Sequence, residues 1–77
     1  MPRYFFHVRN DREFIEDQEG TVLPSVVHAR QEAVLAAREI LAERLLAGHP
    51  INGDVFEIAG EDGAIVDSVP FRSVLIH

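Results

Sequence analysis

No cysteine occurs among the 77 residues. Disulfides and thiolate metal sites are therefore excluded. A domain of this length buries only about 60% of the surface its unfolded chain exposes, and such domains are usually stapled by disulfides, a metal or self-association. With the first gone, self-association is the stabiliser to expect. Lysine is also absent, so 13 acids face 7 arginines and the net charge is −6. Phosphate binding needs a positive surface, and no nucleic-acid partner is expected. No apolar run approaches the roughly 20 residues of a membrane span. The opening "MPRYFFHVRN" has neither the apolar stretch nor the cleavage site of a secretory signal. No membrane contact and a cytoplasmic address are the expectations. Glycine-rich phosphate loops are missing, and no cofactor is expected.

What is present is an ordinary globular mixture, 47% hydrophobic and 26% charged, which argues against disorder. Residues 3–9, "RYFFHVR", are rich in strand-forming types and end at Asn10-Asp11, a turn pair. Residues 13–17, "EFIED", read as the hairpin partner, and "TVLP" runs extended because Leu23 precedes a proline. Ser25 is suited to cap a helix. From Val26 to Ala47 the chain is dense in Ala, Leu, Glu and Arg, the strongest helix formers. Gly48 then offers a left-handed stop and Pro50 forbids resumption. Strands follow at 55–59 and 64–70, joined by "GEDG", with Pro70 at an edge or strand end. "RSVLIH" closes the chain as a fraying tail or short docked segment.

The expected class is α+β, in the order β-β-α-β-β: one 1–77 domain with a long helix on a four-stranded antiparallel sheet. The strand order 2-1-3-4 would place the first strand inside. Residues 15–23, "IEDQEGTVL", and 58–66, "IAGEDGAIV", share an Ile, an acid-Gly pair and two apolar residues at equal offsets. Both read as strand–turn–strand units with common turn chemistry.

Side chains alternate along a strand, so Tyr4, Phe6 and Val8 face one way and Arg3, Phe5, His7 and Arg9 the other. The adjacent pairs Phe14-Ile15, Val55-Phe56 and Ile65-Val66 put apolar groups on both sides of the sheet. One helix covers one side. On that helix Val26, Ala33, Val34, Ala37, Ile40, Leu41 and Leu45 form the stripe for the sheet, while Leu35, Ala42 and Leu46 form a thinner second stripe. A buried large apolar side chain is worth about 1.5–3 kcal/mol, so several left in water would matter to a small domain. The tail is too short to help: four residues of "VLIH" span ~14 Å against a four-stranded sheet ~19 Å across. A homodimer is expected, with Phe5, His7, Arg9, Phe14, Leu35 and Leu46 as candidate interface residues.

Chemistry is harder to find. His7, His28, His49 and His77 stand at no ligand spacing such as H-x3-H, so no metal is expected. His7 is the best acid–base candidate, with Glu16 or Glu57 in prospect as its carboxylate. An interfacial histidine satisfied by an acid is the favoured reading, because no nucleophile sits nearby. The acids at 16–19 and 61–62 do not alternate as calcium ligands do. No enzyme is expected.

"PRYFFHVR", "EDQEGTVLPS" leading into "ARQEA", and "EDG…VPFR" resemble a family of short proteins of rhizobia and other alphaproteobacteria that is classed as a domain of unknown function. The resemblance runs from Pro2 to about Arg72 and implies a bacterial origin but no mechanism. After Val8 the sequence departs from it, with "RNDREF" where a glycine-containing turn is expected. Strands, an acid-Gly turn and a helix opening "ARQEA" also resemble, over about half the chain, the partial ribonuclease-like domain of HicB-type antitoxins, without their DNA-binding segment. Three functional classes follow: a non-enzymatic self-associating interaction module, an antitoxin-like or regulatory binder of a basic partner protein, and an enzyme using His7.

Overall fold

A computed structural model describes residues 1–50 and 53–75. In chain order the elements are β1 (Arg3–Arg9), β2 (Phe14–Ile15), β3 (Thr21–Val22), α1 (Val26–Ala47), β4 (Val55–Ala59), β5 (Ile65–Pro70) and a 3-10 helix, Phe71–Leu75. One helix lies on an antiparallel sheet of order β2-β1-β4-β5, as the alternating apolar pattern implied. The extended "TVLP" segment differs from expectation. Its first two residues pair with β1, Arg3 opposite Val22 and Tyr4 opposite Thr21, which makes a fifth short strand.

The two shortest strands lie end to end along one edge of β1. β2 pairs with Val8 and Arg9, and β3 with Arg3 and Tyr4. The first turn needs no glycine, because the Asn10 Oδ1 accepts from the amides of Arg12 and Glu13, both at 2.9 Å. The two echoing segments therefore share local chemistry but not topology: 60–63 closes a β4–β5 hairpin, whereas 16–20 links two strands that both pair with β1.

The helix begins where its cap does. Ser25 is extended and its hydroxyl accepts from the His28 amide and meets His28 Nδ1 at 2.9 Å. It ends at Gly48, whose left-handed φ of 74° lets its amide return to the carbonyls of Arg44 and Leu45. Towards the sheet it presents Ala29, Ala33, Ala37 and Leu41, all buried. Three alanines in a row bring the helix axis close to the sheet, where Phe56, Ile58 and Val69 fill the space. The 3-10 helix docks against α1 and buries Phe71 and Val74 in the same core. Leu45, expected in the buried stripe, is exposed instead. It lies in the last turn of α1, on a side that β4, β5 and the 3-10 helix do not reach.

Arg44 and Asp54 were not singled out by the sequence. Asp54 is buried just before β4, its Oδ2 lies 2.7 Å from Arg44 Nη2, and its carbonyl accepts from the Phe71 amide at 2.9 Å. The guanidinium also stands over the Phe71 ring at 5.6 Å. This pair joins the helix C-terminal turn, the start of β4 and the 3-10 helix.

Candidate functional site

The face of the sheet away from α1 carries the candidates from β1. Register places Phe5 opposite Ala59, His7 opposite Glu57 and Arg9 opposite Val55 on β4, and Phe14 opposite Arg9 on β2. The side chains form one continuous stack. Phe5 and His7 are nearly parallel, 6.4 Å between ring centres, and His7 meets the Phe14 ring at 5.2 Å. The Arg9 guanidinium then covers Phe14 at 4.5 Å and reaches Glu57 at 3.0 Å. Phe5 and His7 are half-buried, while Phe14 keeps 43% and Ile65 51% of its surface in water.

His7 is held differently from expectation. Neither Glu16 nor Glu57 orients it: Glu57 is taken by Arg9, and the His7 Nδ1 accepts from the backbone amide of Asp17 at 3.0 Å. A backbone N–H only donates, so this bond requires the ring proton on Nε2. The imidazole thus acts as a structural acceptor that fixes the 16–20 loop.

Asp17 is the other half of that fixture. Along the β1 edge, the gap between β2 and β3 would leave the Phe6 amide without a partner, at a cost comparable to a lost hydrogen bond. Asp17 Oδ2 accepts it at 3.0 Å, and Oδ1 accepts from the amides of Glu19 and Gly20, both at 3.2 Å. Burial pushes the Asp17 carboxyl up, but these three hydrogen bonds hold it below the ordinary carboxylate range. Gly20 completes the turn at φ 70°. A Cβ there would lie 2.8 Å from Arg3 Cγ and the Tyr4 carbonyl oxygen and 2.9 Å from the Phe5 ring. The sequence signal for this loop was Asp17 with Gly20 three residues on, a turn pattern in which the aspartate side chain bonds ahead to the backbone.

Residues 3–72 match the family described as Domain of unknown function (DUF6894). The chain belongs to that family. The matched span takes in every strand, the helix and the outer-face stack, in keeping with the extent of the resemblance read from the sequence. No curated protein and no solved structure matches the chain.

The remaining candidates lie apart. Leu35 and Leu46 are on the solvent side of α1, 51% and 90% exposed, across the molecule from Phe5, His7, Arg9 and Phe14. His28 and His49 are exposed, and His77 lies outside the described residues. Among the described residues no group of three His, Cys, Asp or Glu side chains gathers to hold a metal, and no helix is long and apolar enough to cross a membrane. Both acidic turns come to one end of the outer face, where Phe5, His7, Glu16, Gln18, Gly60 and Glu61 border a shallow depression of about 310 Å³.

Proposed function

We propose that the protein is a non-enzymatic interaction module that self-associates through the outer face of its sheet. The observation that carries this reading is the uncovered aromatic and aliphatic surface of that face, with Phe14 and Ile65 about half in water and both α1 and the 3-10 helix packed on the opposite side. A second copy is the occupant in this reading. The chain carries −6, so two copies repel over most of their surface. On this face Glu57 is neutralised by Arg9. A two-fold axis through such a patch sets identical surfaces together, as isologous dimers require. His7, with one ring nitrogen committed to the Asp17 amide, serves packing in this reading rather than proton transfer.

Sedimentation equilibrium at micromolar concentration tests it. The wild-type chain is expected to sediment as a dimer and Phe14→Glu as a folded monomer. Phe14 is the better probe than Phe5, whose ring presses on the Gly20 turn. A wild-type monomer over the whole concentration range overturns the reading.

A second reading, a binder of a basic partner protein, is favoured by Glu16, Glu19, Glu61 and Asp62 standing exposed in the two acidic turns. Isothermal titration with an arginine-rich peptide separates the two: salt-sensitive heat lost in Glu16→Gln/Glu61→Gln supports it, and no heat refutes it.

A further inference from the structure

The loop between β2 and β3 is fastened at two points, and the two answer differently to acid. The Asp17 carboxylate accepts from the amides of Phe6, Glu19 and Gly20. The Asp17 backbone N–H runs the other way, to His7 Nδ1 at 3.0 Å. That second bond exists only while Nδ1 carries no proton, because a charged imidazole donates at both nitrogens and accepts at neither. Histidine is also the side chain whose charge ordinarily changes between about pH 5 and 8. Protonation of His7 sets two N–H groups against each other across a part-buried contact. Turning the ring over does not help, since the charged ring has no acceptor on any edge.

The charged groups around the ring are Arg9 beside it on β1, Glu57 opposite it on β4, Glu16 and Asp17 in the loop, and Glu61 across the shallow depression. Arg9 and Glu57 hold each other at 3.0 Å, and the Asp17 oxygens are taken by three amides. Glu16 and Glu61, with no ion pair among the described residues, are left as acceptors for a charged ring. β2 has little else to hold it, for only Phe14 and Ile15 pair with β1.

We propose that His7 is a protonation-sensitive latch of the loop that follows β2. The neutral ring holds the Asp17 amide. The charged ring releases it, and the short pairing of Phe14 and Ile15 with β1 loosens while the Asp17 carboxylate keeps its own three bonds. The latch lies within one chain and does not depend on a second copy.

Amide exchange and ring carbon shifts of the full isotope-labelled chain between about pH 8 and 5 test it, with exchange rates corrected for the intrinsic effect of pH. In the wild type the Asp17 amide is expected to lose protection by about tenfold or more, with the midpoint of the His7 ring, while the Phe6 and Gly20 amides keep theirs. The midpoint is expected to stay where it is on dilution. His7→Asn places an acceptor where Nδ1 stands and does not titrate, so in that variant the Asp17 amide is expected to stay protected throughout. Should the variant fail to fold, the coincidence of the two wild-type midpoints decides. A His7 ring that stays neutral over the whole range overturns the proposal. So does Asp17 protection that does not follow the ring, a midpoint that moves with concentration, or the same loss in folded His7→Asn.

Discussion

Phe6 and His7 are chain neighbours on β1, yet they belong to two different kinds of surface. Phe6 turns towards the helix side, where its ring meets Phe56 edge-on at 6.4 Å and packs against a core that includes Ile58, Val69 and Phe71. His7 turns outward, where its neighbours are two aromatic rings and a backbone amide. The inner face is completed by a helix whose alanine row allows close approach, and by the 3-10 helix that seals its end. Among the described residues, the outer face is completed only by its own side chains lying over one another. The same alternation of residues builds both. What separates them is a covering element, which the described residues supply on one side.

The sharpest way to test this contrast is to delete equal amounts of side chain from each face. Ile58→Ala, on the inner face and fully buried, is expected to cost about 2–5 kcal/mol, enough to unfold much of a domain whose stability is about 5 kcal/mol. Ile65→Ala, on the outer face and about half in water, should cost under about 1.5 kcal/mol. Urea denaturation of the two variants gives the comparison directly, and equal costs would erase the distinction.

The buried ion pair sharpens the inner side further. Arg44→Met strands the Asp54 carboxylate and is expected to cost about 3–5 kcal/mol. Arg44→Met/Asp54→Leu should recover most of that loss, because a buried pair replaced whole by apolar groups is often neutral. Thermal melts of the single and double variants read the difference.

At the β1 edge the expected effect is smaller. Asp17→Ala leaves the Phe6 amide without its acceptor, for about 1–3 kcal/mol. Because the folded carboxyl is held below its unfolded value of about 3.9, its stabilisation is fully present above that pH and is lost as the pH falls through the folded value. Wild type and Asp17→Ala should therefore differ by a constant amount above about pH 5 and converge in stronger acid. Least of all, Leu46→Glu on the open side of α1 is expected to change stability by no more than about 0.5 kcal/mol and to leave association untouched.

The long-range order was legible where periodicity is strong. Ser25 and Gly48 bracket the helix to the residue, and the clustered aromatics of 3–9 mark the central strand. β3 was not legible, because two residues carry no period and their pairing is set by the Asp17 loop rather than by pattern. The placement of Leu45 failed for a related reason: angular position on a helix says which way a side chain points, not how far the sheet extends beneath it. At the candidate site, the outward placement of Phe5, His7 and Arg9 followed from alternation alone, whereas the choice of Phe14 over Ile15 needed the register with β1. The partner of His7 did not, since a backbone amide leaves no mark in a sequence, whereas the acids that were expected to hold it are visible. Arg44 and Asp54 sit 10 positions apart in a helix end and a strand start, and nothing in either local pattern joins them.

The central claim is that the outer face of the sheet, and not the leucine stripe of α1, joins two copies of the chain. An amide chemical-shift series recorded on dilution from millimolar to low micromolar concentration tests it most directly. The expected result is a set of concentration-dependent shifts centred on Phe5, His7, Arg9, Phe14, Val55 and Ile65, with the helix unmoved. Shifts confined to Leu35, Ala42 and Leu46, or none at any concentration, would contradict it.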